Sequence, residues 1–323
     1  MQVVENLLEL EEPLGPSVLT IGNFDGVHIA HQQLLRRVVE SARKAGAQAV
    51  AVTFDPHPAR ILAPDRAPQI LTNVGRKARL IERLGVDLLV VLRFTQELAR
   101  LSPSDFVQRV LAQRLHPLSV LVGPNFRFGH RQAGTTETLE EFSTQHGFKV
   151  EVLPMLVKRG DRVSSTRIRQ LLAEGRVGRA GRLLGRPYSN EGPIVSGIGV
   201  GHRQTVPTLN LAPVEEMLPK MGVYVTRTRM AGRAFDSVTN VGHKPTFGEH
   251  RLTVESHLLD YQGEISETSM EIEYLHRLRD EKKFPDAASL KAQIQRDAAR
   301  ASQFFRLLRL TQNRRRREVA AGQ

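Results

Sequence analysis

Two histidines three residues apart, His28 and His31, lie where the turn GNFDGVHIAH (22–31) leads into a run of helical apolar spacing. Residues three apart share a helix face, and the free N–H groups of a helix start favour anions. The pair could bind nucleotide phosphates, ligate a metal or be ordinary polar residues of a helix start. There is no HExxH pattern and no third ligand nearby, which disfavours a metal. The spacing alone leaves the other two roles open.

Two further runs carry groups that suit a nucleotide. GPNFRFG (123–129) offers an amide, a guanidinium and two aromatic rings, whose flat faces suit a planar ligand. SSTRIR (164–169), with Arg162 just before it, places hydroxyls and arginines at a helix start, where they can hold a triphosphate. Each run has an ordinary alternative, because the phenylalanines could return to the core and the hydroxyls could only cap the helix.

The C-terminal part of the sequence contains a second group of candidates. A Gly-x-Gly-x-Gly run (197–201) precedes Thr208 and Asn210, which share one face of a strand and offer the hard oxygens that Mg²⁺ prefers. On a later strand, alternation places Glu255 and His257 on one face. Taken alone, a β-turn and a strand with polar exposure would explain both runs.

The elements that must position these residues follow two patterns. Residues 17–154 alternate strands with helices, which predicts a parallel, doubly wound, Rossmann-like α/β domain with ligands at the carboxyl ends of strands. From about residue 187, short β runs without crossovers predict an antiparallel barrel or sandwich, followed by a helix over 286–310. We expect the boundary near 185–187, which gives domains 1–186 and 187–323. The predicted α/β strands are 17–22, 49–54, 87–94, 119–123 and 148–154.

Composition narrows the class of protein. The 323 residues include no cysteine, which excludes disulfides, thiolate catalysis and cysteine metal sites. No apolar run predicts a transmembrane helix, and the acidic N-terminus lacks the basic region of a signal peptide, so we expect a cytoplasmic enzyme. The net charge of +12 suits nucleic acid or a small polyanion such as ATP. No basic run is interleaved with aromatics, and we expect Arg314–Arg317 to be a solvated tail.

Four motifs in order, the histidine pair after GNFDGV, FDPHP (54–58), GPNFRFG and SSTRIR, resemble the adenylyltransferase half of the bacterial bifunctional riboflavin kinase/FMN adenylyltransferase (FAD synthetase) family. The resemblance implies transfer of AMP from ATP to FMN with release of pyrophosphate, with Mg²⁺ bridging phosphates. It implies that His28 and His31 are catalytic. It also implies phosphate contacts from Gly22, Phe24, Asp25, Asn125, Arg162, Ser164, Ser165, Thr166 and Arg169, and flavin contacts from Phe54, Pro56, Pro58 and Phe128. Ala30 stands where the family has glycine.

The glycine run, PTLN (207–210), the 240–248 loop, the Glu255 strand and the charged run 277–284 are similar to the riboflavin kinase half of the same family. This resemblance implies a six-stranded β-barrel with a C-terminal helix, and phosphorylation of riboflavin by ATP. Glu255 would be the general base, and Thr208 and Asn210 would hold Mg²⁺. Phosphate contacts would come from Gly197, Gly199, Gly201 and Asn240. The chain departs from the family pattern at His202, Thr205, Val206, Leu209 and Lys244.

Our main hypothesis is a bifunctional enzyme that makes FMN from riboflavin and then FAD from FMN. Its partners would be ATP, riboflavin, FMN, FAD and pyrophosphate, with neither a membrane nor nucleic acid. One alternative is an FAD synthetase with a degenerate kinase domain, which the departures at His202 and Thr205 suggest. Another is a basic nucleic-acid-binding regulatory protein, which the net charge and the arginine tail suggest.

Overall fold

A computed structural model describes residues 1–5, 7, 14–195, 208–246, 249–261 and 265–321. The chain folds as two units, Met1–Arg167 and Ile168–Gln323. The predicted domain limits, 1–186 and 187–323, remain a prediction. Among the described residues, no helix combines the length and apolarity needed to cross a membrane.

The first unit contains a parallel sheet, as the alternation predicted. Its order is β1-β4-β3-β2-β5-β6, and each neighbouring pair is parallel. The five predicted strands are confirmed, but the prediction missed β1, a four-residue, mostly exposed strand that pairs with β4 at the edge of the sheet. The strands are β1 (Gln2–Glu5), β2 (Ser17–Ile21), β3 (Gln48–Asp55), β4 (Leu88–Arg93), β5 (Pro117–Val122) and β6 (Lys149–Val152).

Helices cover both faces of this sheet, so its strands are apolar on both sides. One face packs Leu19, Val50 and Val120 against the helical stretch that begins after Ser102, whose hydroxyl accepts the N–H of Asp105 as the helix cap. The other face packs Val18 and its neighbours against the first and third helices. The helices are α1 (Ile29–Ala45), α2 (Pro58–Leu62), α3 (Val74–Glu82), α4 (Gln96–Arg100), α5 (Pro103–Phe106, continued by a π-helix, Val107–Leu115) and α6 (Thr136–His146). A hairpin of two short strands, β7 (Val157–Lys158) and β8 (Asp161–Arg162), precedes α7 (Ser165–Ala173).

The second unit is a closed antiparallel barrel in the order β10-β13-β12-β11-β14-β9, which confirms the six-stranded barrel. Helix α8 (Val177–Leu184) packs against β9 and β14, and α9 (Ala287–Ala321) packs against β12. The strands are β9 (Tyr188–Val195), β10 (Thr208–Leu211), β11 (Gly222–Met230), β12 (Arg233–Thr246), β13 (Glu249–Leu258) and β14 (Ser269–Arg279).

Two predictions about the barrel need correction. The run 240–248 was predicted to be a loop, but β12 continues to Thr246, where pairing with Glu249 of β13 overrides the usual effect of glycine and proline. Helix α9 extends past the predicted end at residue 310 to Ala321. Arg314–Arg317 therefore continues the helix, because arginine is a strong helix former.

The barrel interior contains a ring of five buried hydroxyls from β11, β12 and β13. Each hydroxyl contacts two others, at distances of 2.6–3.2 Å, so that each can donate one hydrogen bond and accept one. Alternate residues of the same strands point outward, where Val223 and Val238 pack on Phe305 of α9. The ring runs Thr226–Ser237–Thr228–Ser256–Thr239 and back to Thr226.

Candidate active sites

Three of the predicted motif loops leave neighbouring strands at the same edge of the parallel sheet. β2 lies between β3 and β5, and the strand order reverses between β2 and β5. GNFDGVHIAH follows β2, FDPHP ends β3, and GPNFRFG follows β5. Ligands of doubly wound sheets bind at such a reversal, outside the carboxyl ends of the strands. The fold therefore brings these motifs together as the sequence predicted.

The turn after β2 is a strained backbone held in place by the core. Phe24 (φ 45°) and Val27 (φ 39°) have positive φ although neither is glycine, and both side chains are buried. The Phe24 ring lies beneath Gly22, where a Cβ would come within 3.2 Å of it. Gly22 and Phe24 therefore shape the turn, and Phe24 can offer a ligand only its backbone.

Asp25 ties the turn to two other segments. Its buried carboxylate accepts hydrogen bonds from the backbone N–H of Leu71 (2.8 Å) and Thr72 (3.1 Å). Thr72 in turn accepts from the N–H of Gly26, and the Ser165 hydroxyl donates to the Asp25 carbonyl at 2.9 Å. Asp25 is thus a positioning residue. Leu71 and Thr72 support the turn through it, which no pattern in the sequence indicated.

The two histidines lie face to face at the start of α1. Their ring centroids are 3.5 Å apart, and the His28 Nδ1 accepts the backbone N–H of His31 as the helix cap. A neutral His28 therefore carries its ring proton on Nε2, which makes Nε2 the donor atom of that ring.

His31 occupies a more enclosed position than its partner. Phe24 packs edge-on against its ring, and its Nδ1 is buried without a hydrogen-bond partner among the described residues. Burial, and then the proximity of His28 and Lys77, lower the pKa of His31 well below its ordinary value. His31 is therefore an uncharged imidazole at neutral pH.

Lys77 of α3 is a site residue that the sequence prediction missed. Its side chain is only 6% exposed, and its Nζ donates to the Thr53 Oγ1, which itself donates to the carbonyl of Asn23 in the turn. Burial lowers the pKa of Lys77, and nearby Asp25 and Asp55 partly offset that shift. The available sequence signal was a lysine within an apolar helical stripe, namely Val74, Lys77, Ala78 and Ile81.

The remaining predicted phosphate contacts lie on three separate segments of the chain. Asn125 is exposed after β5, Arg162 is exposed in β8, and Thr166 is exposed in the first turn of α7, with Arg169 further along that helix. The Ser164 hydroxyl accepts the N–H of Arg167 at 3.2 Å. The Ser164 hydroxyl therefore acts as a helix cap, whereas the Thr166 side chain is exposed to solvent.

The predicted flavin contacts divide into two groups. Phe54, Pro56 and Pro58 are half-buried around the end of β3. Phe128, by contrast, is 6% exposed, and its ring packs against Phe126 and Phe106 in the core. This placement favours the core alternative for Phe128.

In the barrel, three predicted residues form one row across three strands. Asn210 of β10 lies opposite Glu255 of β13, and Glu255 lies opposite Asn240 of β12. Directly opposed residues of antiparallel strands point to the same face. All three are half-buried on the outer face, and Thr208 lies on that face two residues from Asn210.

The donors in this row fit a hard cation. A threonine hydroxyl and an asparagine carbonyl are ligands that Mg²⁺ accepts when phosphates complete its shell. No group of three histidine, aspartate or glutamate side chains converges to hold a metal in the part of the chain that the structure describes. Thr208 and Asn210 therefore suit a cation that arrives with the nucleotide.

The charged run after β14 approaches the same outer face. The Glu281 carboxylate occupies the space that a side chain on Gly242 would fill, and Gly242 is two residues from Asn240. Arg279 anchors the run by two hydrogen bonds to Asp297 of α9, at 2.8 and 2.9 Å. This charged run thus brings a second carboxylate, that of Glu281, near the row.

The predicted glycine loop, with Gly197, Gly199 and Gly201, lies outside the described residues, as do His202, Thr205 and Val206. The predictions for these residues remain predictions.

Comparison with known proteins assigns both units. A family model for FAD synthetase matches residues 10–167, and one for riboflavin kinase matches residues 184–305. Three curated relatives are bifunctional riboflavin kinase/FMN adenylyltransferases. The protein from Escherichia coli K12 is 33% identical over 95% of this chain and 99% of its own. The relative from Pseudomonas fluorescens is 35% identical over 93% and 97%, and that from Listeria monocytogenes is 33% identical over 89% and 92%.

A solved structure agrees on the fold. The crystal structure of a protein named macrolide-efflux protein, from Streptococcus pneumoniae, superposes with a TM-score of 0.83 at 27% identity, and covers 92% of this chain and 97% of its own. The predicted fold class and the predicted two-step activity in flavin biosynthesis are confirmed by the family matches. The chain belongs to the bifunctional riboflavin kinase/FMN adenylyltransferase family.

Proposed function

We propose that each unit performs one of the two reactions at its own group of side chains. The barrel row around Glu255 phosphorylates riboflavin to FMN, and the histidine pair of the first unit adenylylates FMN to FAD. The observation that carries this proposal is that each unit contains a separate set of polar residues on one face or at one sheet edge. ATP is the second substrate of both reactions, and pyrophosphate leaves in the second.

Adenylyl transfer needs no nucleophile from the protein. A phosphate oxygen of FMN attacks the α-phosphorus of ATP, and the bond to the leaving pyrophosphate breaks. Catalysis then depends on positioning and on stabilising charge at the oxygens. His28 supplies an N–H donor at Nε2, because its Nδ1 is committed to the cap of α1. His31, Asn125, Arg162, Thr166 and Arg169 provide further phosphate contacts around it.

In the kinase reaction, Glu255 accepts the proton of the ribityl hydroxyl as the hydroxyl oxygen attacks the γ-phosphorus of ATP. The bond between the γ-phosphorus and the oxygen that bridges it to the β-phosphorus breaks, and ADP leaves. Asn210 and Asn240 lie opposite Glu255 on the two neighbouring strands, so all three side chains can face the same phosphates. Thr208 and Asn210 would hold Mg²⁺, which would supply positive charge to offset that of the phosphates.

We place both reactions in the cytoplasm. ATP is available there, and a chain without cysteine needs no oxidising compartment. The ligands are therefore ATP, riboflavin, FMN, FAD, pyrophosphate and Mg²⁺, without nucleic acid.

The test is product analysis with matched variants. The pure protein with riboflavin, ATP and Mg²⁺ should yield FMN and then FAD by chromatography. Glu255→Gln should abolish FMN formation while FAD still forms from added FMN. His28→Ala should slow FAD formation and spare FMN formation. Equal loss of both activities in either variant would argue against separate sites. If the parent makes no FMN but makes FAD from added FMN, the degenerate-kinase alternative is correct.

A further inference from the structure

Lys77 carries a buried positive charge that the protein alone does not satisfy. An ammonium has three N–H donors, and only one of them, to Thr53, has a partner among the described residues. The side chain is 6% exposed, and among the residues that the structure describes no carboxylate lies within ion-pair distance of its Nζ. Burying a charge without full pairing is costly. A lysine kept in this state therefore points to a ligand of opposite charge.

The position of Lys77 near the turn before the histidine pair indicates which anion would bind it. Its hydrogen bond runs through the Thr53 hydroxyl to the carbonyl of Asn23, in the turn that precedes the histidine pair. Its charge acts on His31, and the charges of Asp25 and Asp55 act on it. The two unused donors are therefore beside the helix start where the phosphates of ATP are proposed to bind.

We propose that Lys77 is a phosphate-binding cation of the adenylyl-transfer site, which holds the triphosphate of ATP and the departing pyrophosphate. The inference rests on the proposed function of the histidine pair. Lys77 keeps its proton throughout: the bond between the α-phosphorus and pyrophosphate breaks, and the ammonium stabilises the charge that develops on the leaving oxygens.

This assignment explains how the site acquires positive charge. His31 is uncharged at neutral pH, so the stacked pair offers donors rather than two full charges. In the proposed role, the Lys77 ammonium supplies the positive charge, and its hydrogen bond to Thr53 holds it in position. Groups whose burial opposes their charge are typical of functional sites, where a ligand removes the cost.

The experiment compares Lys77→Met, which keeps the length of the side chain and removes the charge, with Lys77→Arg, which keeps the charge. Lys44→Met, at the exposed end of α1, is the control. Lys77→Met should lower kcat/KM for FMN adenylylation by about 10- to 100-fold, as expected when a hydrogen bond to a charged group is lost. Lys77→Arg should recover part of the loss. Riboflavin phosphorylation and the Lys44→Met variant should match the parent.

Two physical measurements separate ligand binding from a structural role. Inorganic pyrophosphate should raise the unfolding temperature of the parent and of Lys44→Met, but much less that of Lys77→Met. The pKa of His31, followed by NMR, should rise in Lys77→Met because a neighbouring positive charge is gone.

A purely structural lysine gives a different result. In that case Lys77→Met lowers the unfolding temperature of the ligand-free protein, while the pyrophosphate-induced rise and the adenylylation kinetics of the folded fraction stay at parental values. That outcome would overturn the inference. His28→Ala is measured in parallel, because slow adenylylation in His28→Ala with normal rates in Lys77→Met refutes only the role of Lys77. Normal rates in both variants refute the proposed site itself.

Discussion

The hydroxyl ring inside the barrel predicts a large loss in the free energy of unfolding when one of its members is removed. Thr226→Val keeps the shape of the side chain but removes two of the five hydrogen bonds, those to Ser237 (2.8 Å) and Thr239 (2.6 Å). Both neighbours are fully buried, so water cannot replace the lost partner. Each keeps only one hydrogen bond, and the ring becomes an open chain.

The expected cost follows from these two hydroxyls. A buried polar group that loses its partner costs about 1–3 kcal/mol, and two such groups that each retain one bond should together cost about 2–4 kcal/mol. That is a large part of the roughly 5–15 kcal/mol that stabilises a typical domain. The ring residues alternate with Asn240 and Glu255 along β12 and β13, so opening it weakens the strands that align the kinase row.

Urea unfolding, followed by circular dichroism and by loss of kinase activity, measures the effect. The control is Thr253→Val on the outer face of β13, where the hydroxyl is half-buried and makes one 3.3 Å bond to the Gly242 carbonyl. The control should cost less than about 1 kcal/mol. Adding Ser237→Ala to Thr226→Val should cost less than Ser237→Ala alone, because the ring is already open. Additive costs, or a cost no larger than that of the control, would refute the cooperative ring.

Three further predictions concern the two sites. Gly242→Ala should displace the Glu281 carboxylate and lower kinase kcat/KM by about tenfold, a penalty typical of overpacking, with adenylylation unchanged; parental FMN formation would contradict it. Asp25→Ala should destabilise the first unit by about 2–4 kcal/mol and slow adenylylation, because the N–H groups of Leu71 and Thr72 lose their acceptor; Asp25→Asn should recover part of the stability in thermal unfolding. Because the pKa of His31 is lowered on folding, the unfolded chain binds more protons than the folded protein below about pH 6.5. As the pH is lowered from there, the free energy of unfolding should therefore decrease, by at most about 1.4 kcal/mol per pH unit. In His31→Gln the free energy of unfolding should decrease less steeply over the same range.

Local patterns in the sequence were enough to predict much of the fold. β2 and β3 are apolar on both faces because helices cover both sides of a parallel sheet, and such strands are continuous apolar runs. Once these strands are placed, the polar loops that follow them must meet at one edge. The row of Asn210, Glu255 and Asn240 needed more than alternation. Alternation gives the face of each residue, but only the register of three strands sets them opposite each other.

What the sequence could not predict depends on contacts between distant segments. Asp25 was identified as a phosphate contact, but its carboxylate is committed to Leu71 and Thr72, more than 40 residues away. Phe128 was identified as a flavin contact, but the packing of Phe106 draws its ring into the core. Lys77 looked like an ordinary helix residue, because its role depends on Thr53 and on the turn beyond it. In each case a tertiary partner decides the function of a polar or aromatic side chain.

Two departures from the family pattern can be judged from where their side chains lie. Ala30 is the second residue of α1, where the backbone is helical and alanine is the most favourable residue, so the added methyl does not disturb the helix start that carries His28 and His31. Leu209 is buried in the barrel, between the outward-facing Thr208 and Asn210. The leucine side chain is larger than the alanine of the family pattern, and because it is buried it adds to the core and leaves the outer face unchanged. Neither departure alters the faces that present the proposed site residues. The placement of Ala30 favours an intact adenylyl-transfer site, and that of Leu209 favours an active kinase over a degenerate one.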